Sequence, residues 1–199
     1  MCARCRAGLR LLGEPCCARC GAPVAWPVER CRECSGRRLA FASARAAVAY
    51  DRAVAKLVAA WKEQGLRTIA GFASELVADV VSAPRAHAVT FVPPDRERNL
   101  KRGHHPAARL AHELGERWRL DVVQLLSRSG SQRRQRGLPL AERRRNVRTA
   151  FRPEREAPRT VVLVDDVYTS GATVAAAASA LRKAGARRVH VVTFARAVR

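Results

Sequence analysis

Val164-Asp165-Asp166-Val167-Tyr168-Thr169-Ser170-Gly171-Ala172-Thr173 is the stretch on which the fold is read. Val161-Val162-Leu163-Val164 leads into it as a wholly apolar run, the pattern of a strand buried on both faces. Beyond it, the alanine-rich run from Thr173 to Ala184 predicts a helix closed by Gly185, and Val189 to Phe194 predicts a second strand. Strand, helix and strand in this order form a βαβ unit, whose first loop lies at the carboxyl edge of a parallel sheet. Two acids close the first strand, and a small, hydroxyl-bearing turn opens the helix. Such a turn directs backbone N–H groups and a helix N-terminus toward one point, which suits a phosphate dianion. Thr169, Ser170 and Thr173 add hydroxyl donors, the small Gly171 and Ala172 leave room, and glycine permits close backbone approach. Asp165 and Asp166 sit where they can accept hydrogen bonds from a ribose cis-diol. Sugar at the acids and phosphate at the turn together describe a ribose 5-phosphate. Strand ending and helix capping alone would not call for two adjacent carboxylates.

Outward from this unit, Val54, Leu57, Val58 and Trp61 recur at the spacing of an amphipathic helix that ends near Gly65. Ile69, Phe72, Ala73, Leu76, Val77 and Val80 define a second helix; Leu110, Ala111, Leu114 and Trp118, after Pro106, define a third. Ala88 to Val92, stopped by Pro93-Pro94, predicts a strand, and Asp121 to Leu126 another. Between Ser127 and Arg159 the chain is dominated by Arg, Gln, Gly and Pro. A long polar connection within a domain reads either as a functional lid over residues 127–146, with Gln132 and Arg145 as its candidate contacts, or as a basic loop without a role.

All seven cysteines lie between Cys2 and Cys34. Cys17-x-x-Cys20 and Cys31-x-x-Cys34 are two knuckles at zinc-ribbon spacing, and four thiolates make a closed, structural tetrahedral site. Cys2 and Cys5 form a third pair that either joins one of these knuckles or binds a second ion incompletely, and Cys16 is left over. This segment has few large hydrophobes, so metal coordination would have to supply its folding energy.

The formal charge of +21 on 199 residues has two readings. One is a polyanionic partner drawn by the summed field; the other is the arginine bias of a GC-rich genome, since only Lys56, Lys62, Lys101 and Lys183 are lysines. Aromatic residues, at 5%, offer few stacking platforms for single-stranded nucleic acid. No apolar run reaches the ~20 residues of a membrane span and the N-terminus lacks a signal-peptide core, so the expected location is cytoplasmic, without membrane insertion.

The segment LVDDVYTSGAT resembles the phosphoribosyl-pyrophosphate (PRPP) signature of type I phosphoribosyltransferases. The chain as a whole is similar to the ComF family of competence-associated proteins, through the cysteine knuckles, Tyr50, Trp61-Lys62, the Arg-rich segment from Arg96 to Gly103, the Gln132 region, Arg145-Asn146-Val147 with Phe151, and the signature itself. The resemblance implies a parallel-sheet α/β fold of the type I phosphoribosyltransferase kind, spanning 39–199, behind a small zinc-ribbon-like module at 1–38. It implies that Asp165 and Asp166 bind the ribose hydroxyls and that residues 169–173 bind the 5′-phosphate. The turn at Pro93 and Pro94 would approximate the pyrophosphate loop, with Arg96, Arg98, Lys101 and Arg102 placed to meet pyrophosphate. Zn²⁺ would be structural, and Mg²⁺ would be held chiefly by the oxygens of PRPP and by water.

Two functions follow from the resemblance. One is transfer of phosphoribosyl to an acceptor with release of pyrophosphate, for which no catalytic residue is assigned; the other is non-catalytic handling of single-stranded DNA during uptake. The second would bring single-stranded DNA and a DNA-uptake helicase as partners, and a homo-oligomer fits either. One departure stands out. Where the family commonly shows Arg-Gly-Phe-Asn-Gln, this chain has Arg102-Gly103-His104-His105-Pro106, so His104 and His105 are either phosphate ligands or the start of a helix.

Overall fold

The computed structural model describes residues 6–66, 68–94, 104–128 and 150–198. In chain order the elements are β1 (Ser43–Ala49), α1 (Arg52–Glu63), α2 (Thr68–Val80), β2 (Ala88–Phe91), α3 (Pro106–Trp118), β3 (Leu126–Arg128), β4 (Phe151–Pro153), β5 (Thr160–Tyr168), α4 (Ala172–Lys183) and β6 (Arg188–Arg196). Four strands form a parallel sheet in the order β1-β6-β5-β2.

Side-chain alternation along β5 divides the core in two. Val162 and Val164 join Val54, Val58 and Trp61 of α1, Leu76 and Val77 of α2, and Leu110 and Leu114 of α3 in one buried cluster. Val161 and Leu163 join Ala177 and Leu181 of α4, Leu126 of β3, Phe151 of β4, and Cys17, Cys20 and Cys34 in the other. A strand with both faces buried has no polar side chain to expose, which is why Val161 to Val164 is unbroken by polar residues. The cysteine segment therefore packs on the α4 face and shares its core.

Local signals set the helix ends. The Asp51 carboxylate accepts the Val54 N–H at 2.9 Å and caps α1. Pro106 opens α3, where its missing N–H costs nothing.

Both borders of the sheet are covered. Residues 10–12 lie antiparallel along β1, with Leu12 N–H to Ala47 O and Ala49 N–H to Arg10 O both at 2.8 Å. On the other border Val122 bridges Val89 in parallel, beyond β2.

Three differences from the sequence pattern have physical reasons. β1, Ser-Ala-Arg-Ala-Ala-Val-Ala, reads as helix former but pairs with β6, so tertiary pairing overrides propensity. Asp121 to Leu126 is not one strand: Val122 makes a single bridge, and the chain turns into β3, which pairs with β4 in a separate two-stranded sheet. β5 continues four residues past Val164, so both acids lie within the strand rather than closing it.

Candidate functional site

The chain leaves β2 through α3 toward Val122 on its outer side, and leaves β5 through α4 toward β6 on the opposite side. Connections diverging from two adjacent parallel strands open a crevice at their carboxyl ends, where open α/β sheets bind ligands. Phe91 is in register with Val164, and Val92 N–H donates to Val164 O at 2.9 Å. Pro93 and Pro94 thus follow β2 alongside the acids on β5.

Asp166, 9% exposed, extends the face carrying Val162 and Val164, and its Oδ2 meets Lys62 Nζ of α1 at 2.6 Å. Asp165 extends the other face, where the charge of Arg128 reaches it. Its Oδ1 accepts the Asp166 N–H at 3.0 Å. Burial, and then the negative charge of Asp166, push the Asp165 carboxyl up to about 8, so it keeps its proton at neutral pH.

Lys62 is the residue at these acids to which the sequence pattern assigns no role. A signal was present: it is one of four lysines among 38 basic residues. Its position is fixed from behind, because the preceding Trp61 is buried edge-on to Phe194 with ring centroids 6.2 Å apart. His104 Nε2–H donates to the Trp61 carbonyl at 2.6 Å. His105 precedes α3 with its ring edge-on to Phe91 at 5.4 Å, and burial holds its imidazole down to about 4. Both histidines therefore serve the packing at the start of α3, and His105, neutral and within reach of the charge of Asp166, borders the crevice.

Thr169, Ser170 and Ala172 are exposed, Thr173 is half-buried, and Gly171 is buried. Gly171 is the N-cap of α4 with φ 73°, and a Cβ there would collide with the Tyr168 ring. Two independent constraints thus require glycine. Ser170 Oγ accepts the Ala172 N–H at 3.3 Å, and the next N–H groups are the unpaired donors that begin any helix. Arg96, Arg98, Lys101, Arg102, Gln132 and Arg145 lie outside the described residues.

The Cys17, Cys20, Cys31 and Cys34 thiols all lie within 4.8 Å of one another. Sγ–Sγ separations of 3.6 Å for Cys17–Cys34, 3.4 Å for Cys20–Cys31 and 4.0 Å for Cys31–Cys34 bracket the ~3.8 Å edge of a tetrahedron built on Zn–S bonds of ~2.3 Å. The four residues thus fit a zinc ion. Burial works against ionisation of Cys17, but N–H groups of Cys20, Cys31 and Arg19 outweigh it and bring the thiol down to about 6, toward a ligand-ready thiolate. Cys16 stands apart, its Sγ 3.3 Å from Glu14 Oε1 and its thiol pushed up to about 11 by burial and that contact. Cys2 and Cys5 lie outside the described residues.

A parallel sheet between helices, with a crevice where connections diverge beside paired acids and a helix-opening turn, defines a class: the phosphoribosyltransferase-type α/β proteins. Residues 62–198 match the Phosphoribosyl transferase domain family. Competence protein F of Haemophilus influenzae is 31% identical over 200 residues, covering 92% of this chain and 85% of that protein. DNA utilization protein YhgH of Salmonella typhimurium is 31% identical over 189 residues, covering 88% and 81%. The crystal structure of TT1426 from Thermus thermophilus covers 62% of this chain and 72% of its own, at 22% identity and a TM-score of 0.38. The chain belongs to the phosphoribosyl transferase domain family and, within it, to the family of Competence protein F. Among the described residues no helix is long and apolar enough to cross a membrane.

Two outcomes are expected. Because the folded state holds the Asp165 proton up to about 8, stability from this group is full below the unfolded value near pH 4 and is lost as pH rises toward 8. Asp165→Asn should therefore melt above the parent at pH 8, by ~2–4 °C for a gain of about 1 kcal/mol, with the difference shrinking toward pH 4 in a calorimetric series. For the cysteines, elemental analysis should find that Cys17→Ser loses one equivalent of zinc while Cys16→Ser keeps the parent content.

Proposed function

We propose that the crevice binds PRPP, with Asp165 and Asp166 on the ribose hydroxyls and the turn from Thr169 to Thr173 on the 5′-phosphate. The observation that carries this reading is two consecutive carboxylates near the carboxyl end of β5, followed by a glycine-kinked helix start and flanked by the end of β2. Asp165, which retains its proton, can donate to a sugar hydroxyl, and the Asp166 carboxylate paired with Lys62 can accept from one. The pyrophosphate lies toward Pro93 and Pro94 and the arginines that follow them, Arg96, Arg98 and Arg102. Lys62, already at Asp166, supplies a cation between sugar and pyrophosphate.

Displacement of pyrophosphate from the anomeric carbon gathers negative charge on the leaving group, so fixed cations and positioning supply most of the rate. Mg²⁺ arriving with the substrate would be held chiefly by substrate oxygens and water and would supply positive charge at the pyrophosphate. The residues of this chain orient the ribose and hold the cationic side of the crevice.

A second role, handling of single-stranded DNA, is favoured by a specific feature. Trp26, on the loop between the two knuckles, is 71% exposed, a free aromatic face in a chain of charge +21. The names of the two relatives, competence in one and DNA utilization in the other, support the same direction.

Calorimetric titration with PRPP and Mg²⁺ tests the first reading. Asp165→Asn/Asp166→Asn should weaken binding at least about tenfold, the scale of ~1.5–3 kcal/mol for hydrogen bonds to a charged group, and unchanged affinity would refute the site. Pyrophosphate release over a panel of nucleobases then decides transfer: PRPP bound with no release on any base leaves a binding protein. For DNA, Trp26→Ala should cost about 1–3 kcal/mol in affinity for oligo-dT, measured by fluorescence anisotropy, and the parent's affinity should fall by ~0.7 log units per contacted phosphate per log unit of salt. Salt-independent binding, or a Trp26→Ala variant equal to the parent, removes that role.

A further inference from the structure

The cysteine cluster and the turn at Tyr168 to Gly171 are joined by two arginines. Arg196, the last residue of β6 and the strand neighbour of Tyr168, is 2% exposed. Its Nη1 donates to Cys20 O at 2.6 Å, and its Nη2 donates to Glu33 Oε2 at 2.7 Å and lies 3.8 Å from Cys20 Sγ. Cys20 belongs to the first knuckle and Glu33 to the second. One buried guanidinium therefore grips both knuckles, and it can do so only while they are held together. Four metal–thiolate bonds at Cys17, Cys20, Cys31 and Cys34 would hold them so.

The same guanidinium lies 4.5 Å over the Tyr168 ring, and Phe41 meets that ring edge-on at 6.3 Å. The Tyr168 ring in turn fills the space beside Gly171. A buried cation that loses its carboxylate and carbonyl partners cannot stay where it is. Separation of the knuckles would thus displace Arg196 from Tyr168 and release the wall against which the glycine turn is folded.

Arg37, three residues past Cys34, makes the second link: its Nη2 donates to the Ser170 carbonyl at 2.6 Å. In a planar trans peptide, C=O and the following N–H point in opposite directions. Holding the Ser170 carbonyl toward the cysteine segment therefore turns the Gly171 N–H away from that segment, as a donor free to meet a ligand on the other side of the turn.

We propose that Arg196 and Arg37 are positioning residues through which metal binding at Cys17, Cys20, Cys31 and Cys34 sets the Tyr168–Gly171 turn for a sugar phosphate, so that the two sites reinforce each other. The inference rests on the reading of that turn as the phosphate site. Coupling between sites is reciprocal: the factor by which metal strengthens phosphate-ester binding is the factor by which the ester strengthens metal binding.

The test uses the full chain loaded with zinc and ribose 5-phosphate as the probe. Calorimetry of the parent, Arg37→Ala, Arg37→Lys and Arg196→Lys gives the ester affinity, and competition with a chromophoric chelator gives the zinc affinity with and without the ester. Arg37→Ala should keep its zinc yet bind ribose 5-phosphate at least about fivefold more weakly, the low end of usual coupling, with Arg37→Lys recovering most of the loss. Saturating ribose 5-phosphate should tighten zinc binding in the parent, and less so in Arg37→Ala and Arg196→Lys. Parent-like ester affinity in Arg37→Ala, with zinc affinity indifferent to the ester, overturns the coupling while leaving the phosphate site standing. Absence of ribose 5-phosphate binding in the zinc-loaded parent overturns both.

Discussion

Two carboxylates on consecutive residues of a buried strand repel each other, and the placing of Lys62 and of the elements that hold it answers that repulsion. Strand alternation sends the two side chains to opposite faces. One of them is then neutralised by Lys62 and the other by retaining a proton. Lys62 can reach Asp166 only from the end of α1, and α1 is held there by the buried Trp61 ring and by His104 from the start of α3. Elements far apart in the chain thus converge on a local electrostatic problem, the kind of tension that functional sites retain at some cost to stability.

The opposite face solves a different problem. A knuckle segment with few large hydrophobes cannot bury enough surface by itself. It buries Cys17, Cys20 and Cys34 instead in the core on the α4 face of the sheet, to which α4 contributes the small Ala176, Ala177, Ala178 and Ala180. Gly21, at φ 68°, lets the first knuckle press on the backbone of β1, where a Cβ would collide with Ala44 O. The cysteines thereby lie on the same side of the sheet as the helix whose N-terminus forms the turn.

Much of this could be read from residues alone, and the exceptions are instructive. Val161 to Val164, the glycine turn and the alanine helix announce themselves because a doubly buried strand and a kinked helix start each have few alternative sequences. The two C-x-x-C pairs are legible for the same reason, since spacing and ligand type nearly determine the geometry. β1 was not legible: four alanines in seven residues carry helical propensity, and only the neighbouring β6 makes them a strand. The roles of Lys62 and Arg196 were not legible because their partners lie 104 and 163 or more residues away along the chain; the rarity of lysine singles out Lys62 but does not say what it meets. Trp26 is the reverse case, an aromatic that composition counted among the few and the structure places in solvent.

The covered borders of the sheet carry a consequence of their own. A bare outer strand offers a ladder of unsatisfied amides and carbonyls onto which another chain can zip. Here residues 10–12 occupy the ladder of β1, and the chain around Val122 occupies that of β2. Strand-to-strand joining of two molecules would first have to peel away one of these segments, so copies of this protein that associate would meet through side chains rather than by extending the sheet.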